Sequence, residues 1–154
     1  MNIKIINPST PKEFESYYNL RWWVLREPWG QIKGSERDKD DEVSHHRMII
    51  DEATGEAVAV GRLHFNSKEE AQIRYMAVAE NYQGQGIGSK IVAVLEDIAL
   101  EKGANRIILQ ARENALKFYR KNGYEIIEKS YLLFDEIQHW LMVKEITTMS
   151  KAGK

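Results

Sequence analysis

The spacing of apolar and polar residues predicts a strand and then an amphipathic helix at the start of the chain. Strand character at Ile3–Ile6 ends at Asn7-Pro8. Residues 10–13, with the sequence TPKE, have the form of a capping box with proline at the first helical position. We expect the helix to continue to about Arg26. The residues expected to bury its apolar face are Phe14, Tyr17, Tyr18, Trp22 and Leu25.

Strand patterns return in the middle of the chain. They cover Met48–Ile50, Ala57–Phe65 and about Gln72–Val78, with a hairpin turn at Thr54-Gly55 between the first two. Before them, residues 33–44 are rich in charge and are expected to form a loop. Its acidic part, Asp38–Glu42, is expected to be solvated, although it could also attract a cationic amine.

The second half of the chain alternates helices with strands. A helix whose apolar residues Ile87, Ile91, Leu95 and Ile98 recur at helical spacing is expected to end at Lys102-Gly103. A short buried strand at Ile107–Leu109 and a helix over Glu113–Asn122 follow. The last predicted elements are an antiparallel pair of strands, Tyr124–Phe134 and Ile137–Ile146, with a turn at Asp135-Glu136.

This order of elements predicts an α+β fold with one strand-helix-strand crossover at its centre. A chain of 154 residues is the length of one domain, since domains typically hold roughly 100–200 residues. We therefore expect a single domain over residues 1–146 and a polar tail over residues 147–154.

Composition excludes several classes of function. Lys and Arg number 22 against 23 for Asp and Glu, a balance that argues against a nucleic-acid partner. The chain has 0 cysteines, which excludes disulfides, thiol nucleophiles and Cys-ligated zinc. No apolar leader and no run approaching the ~18 apolar residues of a membrane span is present, so we expect a soluble, cytoplasmic protein without a membrane partner. The sequence does not decide whether the protein forms a homodimer.

The most informative stretch lies between a predicted strand and a predicted helix. Its residues are Gln83, Gly84, Gln85, Gly86, Ile87, Gly88 and Ser89. Closely spaced glycines let backbone N–H groups converge on an anion, and the start of the helix adds positive partial charge. The spacing fits neither the Rossmann fingerprint nor a Walker A loop. A plain turn that caps a helix remains the alternative.

Two motifs resemble those of the GNAT superfamily of N-acetyltransferases. Tyr75-Met76-Ala77-Val78 followed by the glycine loop is similar to the family's acetyl-CoA motif, Gln/Arg-x-x-Gly-x-Gly/Ala. Ala115, Phe118-Tyr119 and Gly123-Tyr124 are similar to its later signature. The resemblance implies a three-layer fold with a mixed, mostly antiparallel sheet that is splayed at its centre and flanked by helices. A narrower resemblance to the ElaA-like subgroup rests on Leu20-Arg21, Val24-Leu25, Asp41–His46, Arg74, His139 and Met142.

The resemblance also implies a role for each part of these motifs, with acetyl-CoA as co-substrate. Met76, Ala77 and Val78 would pair with the pantetheine amides, and the Val78 N–H would polarise the thioester carbonyl. Backbone N–H groups from Gln85 to Ser89 would hold the pyrophosphate, and Tyr119 would protonate the departing thiolate. Arg112 stands where many members have Asn, and is assigned a cofactor contact. The implied acceptor is a primary amine of a small molecule or a peptide.

The general base is not evident from the motifs. Many members carry Glu on the strand before the glycine loop, whereas this chain has Gln72, Arg74 and Met76 on that face. His139 is the leading candidate because an imidazole titrates near neutral pH. The other candidates are His46 and His64, and all three are also explained as structural histidines.

Three further questions stay open at this point. A non-catalytic acyl-CoA-binding module of the same fold explains the missing carboxylate. A nucleotide-binding protein that holds ATP or NAD explains the glycine loop. Trp22, Trp23 and Trp29 either line an acceptor pocket or, for at least two of them, belong to the core.

Overall fold

The structure is a computed structural model that describes residues 2–146. The predicted tail, residues 147–154, lies outside the described residues. The strands are Ile3–Ile6 (β1), His45–Asp51 (β2), Ala57–Phe65 (β3), Glu70–Val78 (β4), Arg106–Arg112 (β5), Glu125–Leu133 (β6) and Ile137–Glu145 (β7). The α-helices are Pro11–Leu25 (α1), Ile87–Glu101 (α2) and Leu116–Lys121 (α3).

The described chain divides into two compact units. The first unit comprises residues 2–64 and 75–95, and the second comprises residues 65–74 and 96–146. Both β4 and α2 contribute residues to each unit. The expectation of a single domain stays a prediction.

In the first unit, β1 pairs with β2 and β2 pairs with β3, both antiparallel, and β4 follows β3 in the strand order. In the second unit, β4 pairs in parallel with β5, and β5, β7 and β6 follow in antiparallel order. The predicted α+β class with a mixed, mostly antiparallel sheet is thereby confirmed. The parallel pair brackets α2, which confirms the predicted crossover.

The parallel register of β4 and β5 is short. It runs from Glu70 opposite Arg106 to Ile73 opposite Leu109, and no later pair of the two strands is recorded among the described residues. The last three residues of β5, Gln110–Arg112, therefore continue beyond the paired segment while they still pair with β7. This early end of the register agrees with the splay that the resemblance implies.

The first helix begins with the predicted capping box. The Glu13 backbone N–H donates to Thr10 Oγ1 at 3.1 Å, and the Thr10 N–H donates to Glu13 Oε1 at 3.1 Å. Of the five residues expected to be buried, Tyr17 is completely buried and the other four are half-buried. Arg21 and Arg26 are buried instead, which the apolar pattern did not predict.

The predicted apolar face of α2 is confirmed and packs closely on β3 within the first unit. Ile87, Ile91 and Leu95 are all buried. A Cβ atom added to Gly61 would lie 2.6 Å from Ile91 Cγ2 and 2.7 Å from Met76 Sδ. Real Cβ atoms do not approach other atoms so closely, so this position requires a residue without a side chain.

The expectation that the acidic segment Asp38–Glu42 is solvated is wrong for Asp41, which is buried, whereas Lys39 and Glu42 are exposed. Residues Lys39–Val43 form a 3-10 helix whose first N–H groups are capped by Asp38. Glu36 is 2% exposed and Asp41 is 9% exposed. Asp41 is buried because it pairs with arginines of α1 and β3, as described below, whereas the Glu36 carboxylate accepts from the Gly34 N–H and from Arg37 Nε.

Two boundaries in the second half of the chain also differ from expectation. The terminal hairpin turns at Phe134-Asp135, one residue earlier than expected, and both residues have positive φ angles, 54° and 56°. Two such residues in succession are characteristic of the type I′ turn, whose twist suits a hairpin. The helix expected over Glu113–Asn122 is a 3-10 turn, Glu113–Ala115, followed by the short α3.

Candidate active site

The residues expected to bind the cofactor, apart from Arg112, all lie in the first unit. Met76–Val78 form the end of β4, and Tyr75 before them has φ +56°, which is unusual for a residue with a side chain. Gln83 Nε2 donates to the Val78 carbonyl at 3.0 Å and so fixes the loop to the strand end. The remaining carbonyls and N–H groups of this strand end are the groups to which the resemblance assigns the pantetheine.

The glycine loop is exposed up to Gly86, and α2 begins at Ile87. Gly84 and Gly86 have φ angles of +77° and +80°, and a Cβ at either position would have nothing within 4 Å. The two positions need glycine for their backbone conformation, and the space beside them is open to a ligand. The helix that follows has 15 residues, so its unpaired N–H groups and dipole favour an anion at its start.

A network of buried charges lies beside this strand end in the same unit. Arg21 and Arg62 are both 0% exposed. Asp41 Oδ1 accepts from Arg21 Nη1 at 2.9 Å and from Arg62 Nη1 at 3.1 Å. Asp38 Oδ1 accepts from Arg62 Nη1 at 2.6 Å. Burial alone would raise the pKa of Asp41, but the charge of Arg21, the Asp38 N–H and the hydrogen bond from Arg62 hold that pKa below its usual value.

Tyr75 connects this network to the strand end. Its ring centroid lies 4.3 Å from the guanidinium carbon of Arg21 and 4.9 Å from that of Arg62. Its hydroxyl donates to Asp38 Oδ2 at 3.3 Å. Cation–π contacts of this kind hold the ring firmly in a desolvated site. The unusual backbone angle of Tyr75 is therefore supported by contacts of its own side chain.

The sequence reading missed this network, although two signals for it exist. Arg21 follows Tyr17 by one helical turn on the face that was expected to be apolar. Arg62 interrupts an otherwise apolar strand whose first seven residues are largely buried. A charge inside an apolar pattern indicates a buried partner of opposite charge elsewhere in the chain.

His46 is a structural histidine. Its Nδ1 lies 2.7 Å from the Tyr17 hydroxyl and its Nε2 lies 2.7 Å from the Asp41 carbonyl oxygen. Burial, together with the nearby arginine charges, lowers its pKa, so the ring is neutral at neutral pH. His64 Nδ1 lies 3.1 Å from Arg62 Nη2 and thus belongs to the edge of the same network.

The two residues expected to be catalytic lie in the second unit, as does Arg112. Tyr119 on α3 is 7% exposed and packs against Phe118 and Tyr124, with ring centroids 5.0 Å and 5.9 Å away. Burial raises the pKa of Tyr119, and the positive charge of Arg112 partly offsets that effect. The phenol therefore keeps its proton at neutral pH, as a general acid must.

His139 is 4% exposed and lies directly opposite Arg112 in the pairing of β7 with β5. Its Nδ1 lies 3.0 Å from the Ile137 carbonyl oxygen, and its ring stacks on Tyr131 with centroids 4.3 Å apart. Because a carbonyl only accepts hydrogen bonds, Nδ1 carries the proton in the neutral ring. The lone pair is then on Nε2, the tautomer that a base requires.

None of the three tryptophans that were candidates for an acceptor pocket, Trp22, Trp23 and Trp29, is a core residue. Trp23 is 61% exposed and Trp29 is 37% exposed, while Trp22 is half-buried and donates through Nε1 to the Gln31 carbonyl at 2.9 Å. The expectation that at least two belong to the core is wrong. Trp22 and Trp23 instead line an open groove of about 810 Å³ beside α1. Whether this groove takes an acceptor stays a prediction.

Within residues 2–146, no three His, Cys, Asp or Glu side chains are placed so that they could hold a metal ion. In the same residues, no helix is both long and apolar enough to cross a bilayer.

The fold is of the α+β class, and a glycine loop leads from the end of β4 into α2. Comparison with known proteins gives the family of the chain. The chain belongs to the Acetyltransferase (GNAT) family, whose model matches residues 14–124. It is 31% identical to the uncharacterized protein YyaT of Bacillus subtilis over 154 residues, 96% of this chain and 97% of YyaT.

Solved structures agree with the fold. A structure from Lactobacillus plantarum aligns with a TM-score of 0.80 at 21% identity and covers 94% of this chain and 98% of that chain. An aminoglycoside 6'-N-acetyltransferase complexed with coenzyme A aligns with a TM-score of 0.75 at 16% identity and covers 94% and 97% of the two chains.

The narrower resemblance has weaker support. Escherichia coli ElaA aligns with a TM-score of 0.69 at 17% identity and covers 94% of this chain and 99% of that chain. A likeness at this identity shows the shared fold alone. Membership in an ElaA-like subgroup stays a prediction, whereas the GNAT family is confirmed.

Proposed function

We propose that this protein is an acetyl-CoA-dependent N-acetyltransferase that transfers an acetyl group directly to a primary amine of a small molecule or a peptide. Membership in the GNAT family, matched over residues 14–124, carries the proposal. Members of this family are acetyltransferases, and a structural neighbour was solved with coenzyme A bound. The family also favours coenzyme A over ATP or NAD as the ligand of the glycine loop.

The geometry of the first unit supports this cofactor. The open space at Gly84 and Gly86 and the start of α2 suit a diphosphate held by main-chain N–H groups. Met76–Val78 supply a strand end for the pantetheine, and the Val78 N–H is assigned to the thioester carbonyl. Each of these contacts uses the backbone, so each is insensitive to side-chain identity except where bulk would block the ligand.

The second unit supplies the groups for proton transfer. An alkylamine with a pKa near 10 is mostly protonated at neutral pH, so it must lose a proton before it attacks the thioester. His139 is assigned as the base, since its Nδ1 bond to the Ile137 carbonyl leaves the lone pair on Nε2. Tyr119 is assigned as the acid that protonates the departing thiolate. Burial raises the pKa of that phenol, and the charge of Arg112 partly offsets this effect, which makes the phenol a better donor than burial alone would.

The test is a thiol-release assay with acetyl-CoA and a panel of primary amines. The panel holds 1,4-diaminobutane, kanamycin and a tripeptide with a free N-terminus. Tyr119→Phe is expected to lower kcat by about 100-fold or more, the usual contribution of a general acid. The control variant Tyr18→Phe, which alters a tyrosine of the first unit, is expected to keep wild-type kcat. Equal kcat for wild type and Tyr119→Phe would remove Tyr119 from the mechanism.

One observation favours a second candidate, a non-catalytic acyl-CoA-binding module of the same fold. The strand before the glycine loop carries Gln72, Arg74 and Met76 where many relatives have a carboxylate base. Calorimetry distinguishes the two candidates. Tight binding of coenzyme A with no thiol release on any amine of the panel would establish the module. Thiol release that depends on His139 would establish the enzyme.

A further inference from the structure

Two buried side-chain oxygens of the second unit, in Gln110 and Ser130, have no hydrogen-bond partner among the described residues. The side-chain oxygen of Gln110, Oε1, is shielded from solvent and bonds to nothing within residues 2–146. A buried amide oxygen in this state is destabilising by about 1–3 kcal/mol, so native proteins rarely leave one unsatisfied without a reason. A donor that is brought by a ligand is one such reason.

Gln110 stands at a distinctive place in the sheet. It is the first residue of β5 beyond the segment that pairs with β4, which ends at Leu109. The alternate residues Ile107, Leu109 and Ala111 are buried on the opposite face of β5, so Gln110 and Arg112 share the second face.

The same face carries the proposed base. In the pairing of β5 with β7, Arg112 lies opposite His139 and Gln110 lies opposite Leu141. Side chains of directly opposite residues share a face, and diagonal neighbours lie about 7–8 Å apart. Gln110 and His139 are such diagonal neighbours. Gln110 therefore belongs to the cross-strand pair next to that of His139 on this face, and the His139 imidazole is assigned to remove a proton from the acceptor amine.

The chemistry of Gln110 fits an amine. An amide oxygen accepts hydrogen bonds, and a primary amine or ammonium offers two or three N–H donors. Because the amide is neutral, it holds the nitrogen without stabilising the protonated form as strongly as a carboxylate would, which leaves deprotonation feasible. The flanking Leu141 opposite it is apolar, so the donor bond would form in a partly dry environment where it is strong.

We propose that Gln110 is the residue that binds the acceptor nitrogen, with Oε1 accepting an N–H of a primary amine on the sheet face shared with His139. This inference rests on the proposed N-acetyltransferase function and adds to it a recognition residue for the acceptor. Gln110 orients the amine, and His139 removes its proton.

The test measures acceptor and cofactor kinetics separately. Gln110→Met keeps the length of the side chain but removes the acceptor, and is expected to raise the KM of the amine about 10-fold, the typical loss of one hydrogen bond to a charged group. Gln110→Glu keeps an acceptor and adds charge, so it is expected to lower the KM of the amine and to shift the kcat profile toward higher pH. Both variants are expected to keep the wild-type KM for acetyl-CoA.

The amine used is the member of the panel above with the highest wild-type kcat/KM. The matched control is Ile108→Met, which places the same side chain two residues earlier on the same face of β5. It is expected to change neither KM. Thermal denaturation of each variant reports folding, and Gln110→Met is expected to be at least as stable as wild type because it removes an unsatisfied buried oxygen.

Two outcomes overturn the inference, and they differ in what else they overturn. An active wild type together with an unchanged amine KM in Gln110→Met removes Gln110 from acceptor binding and leaves the proposed function standing. A folded wild type that turns over no amine of the panel overturns the proposed function and this inference with it.

Discussion

The two units differ in the kind of buried polar atom that lacks a hydrogen-bond partner. In the first unit, Arg21 and Arg62 are completely buried, and Asp38 and Asp41 accept their hydrogen bonds. In the second unit, Gln110 and Ser130 each have a buried side-chain oxygen without a partner among the described residues. The first unit pairs the terminal nitrogens of its buried arginines with its own carboxylates, so those charges hold the fold, although Arg21 Nε and Arg62 Nε have no hydrogen-bond partner among the described residues. The atoms without a partner in the second unit are instead oxygens of neutral side chains, which can accept hydrogen bonds from the N–H groups of a ligand.

The first unit also carries the proposed cofactor site. That site uses backbone groups of a strand end and a glycine loop, and the buried arginines bond to carboxylates and carbonyls of their own unit. The recognition proposed for the first unit thus uses the main chain, whereas the recognition proposed for the second unit depends on the identity of side chains. Four predictions follow in order of decreasing effect, the second of which concerns the same carboxylate as the first.

The largest effect is expected for the charge network of the first unit. Asp41→Asn removes the carboxylate that both buried guanidinium groups share, and it is expected to lower the free energy of unfolding by about 3–5 kcal/mol, the usual cost of an unpaired buried charge. Denaturant unfolding followed by circular dichroism measures this. Glu42→Gln, a charge removal at an exposed neighbour, is expected to have little effect. An Asp41→Asn protein as stable as wild type would contradict the claim that the paired charges of the first unit hold its fold.

The same carboxylate makes a pH-dependent contribution. Because the pKa of Asp41 is lowered in the folded protein, its stabilisation is complete at neutral pH, begins to decline near the ordinary carboxyl pKa of 3.8 and is lost once the pH falls through the lower folded value. Unfolding measured between pH 7 and pH 2 is expected to show a smaller acid-induced loss in Asp41→Asn than in wild type. Parallel curves for the two proteins would contradict this assignment.

An intermediate effect is expected at the glycine loop. Gly86→Asp places bulk and negative charge where the diphosphate is expected, and should weaken coenzyme A binding by about 2 kcal/mol, roughly 30-fold. Calorimetry with coenzyme A measures the affinity. The control is Gly55→Asp, since Gly55 has a similar φ of +75°, equally open space and a position in the distant hairpin turn. Equal affinities for both variants would refute the main-chain site.

The smallest effect is expected for the polar cluster that the second unit does satisfy. The Tyr124 hydroxyl donates to Glu96 Oε2 at 2.8 Å, and Lys144 Nζ bonds to both oxygens of the same carboxylate at 3.1 Å. Tyr124→Phe leaves the lysine bonds in place, so the loss of stability is expected to be about 1 kcal/mol. The control is Tyr82→Phe, which removes a hydroxyl bond from the half-buried Tyr82 to Asp51 and should cost less, because Tyr124 is only 1% exposed. A larger loss for Tyr82→Phe would contradict the role of burial.

Much of the architecture could be predicted because local signals are strong where the chain changes direction. The capping box at Thr10, the spacing of Ile87, Ile91 and Leu95, and the loop between a strand and a helix each depend on nearby residues alone. The terminal turn lies one residue earlier than expected, because Phe134 and Asp135 both adopt positive φ without the usual Asn-Gly signal.

The buried charges could not be predicted in the same way. Whether Asp41 is solvated or buried depends on Arg21 and Arg62, which lie about 20 residues away in either direction and on different elements. Charged residues are usually exposed, so a loop rich in them is ordinarily assigned to the surface. The unsatisfied oxygen of Gln110 is likewise a property of its surroundings and has no counterpart in the sequence.

Gly61 gives the close packing of α2 on β3 a practical consequence. Any side chain at this position would have to push aside the Met76 thioether or the Ile91 methyl group, because both lie within 3 Å of where its first carbon would be. Met76 is also assigned to hold the pantetheine. A substitution chosen to improve expression or heat resistance at residue 61 is therefore expected to displace side chains of both α2 and the strand end that is proposed to hold the pantetheine.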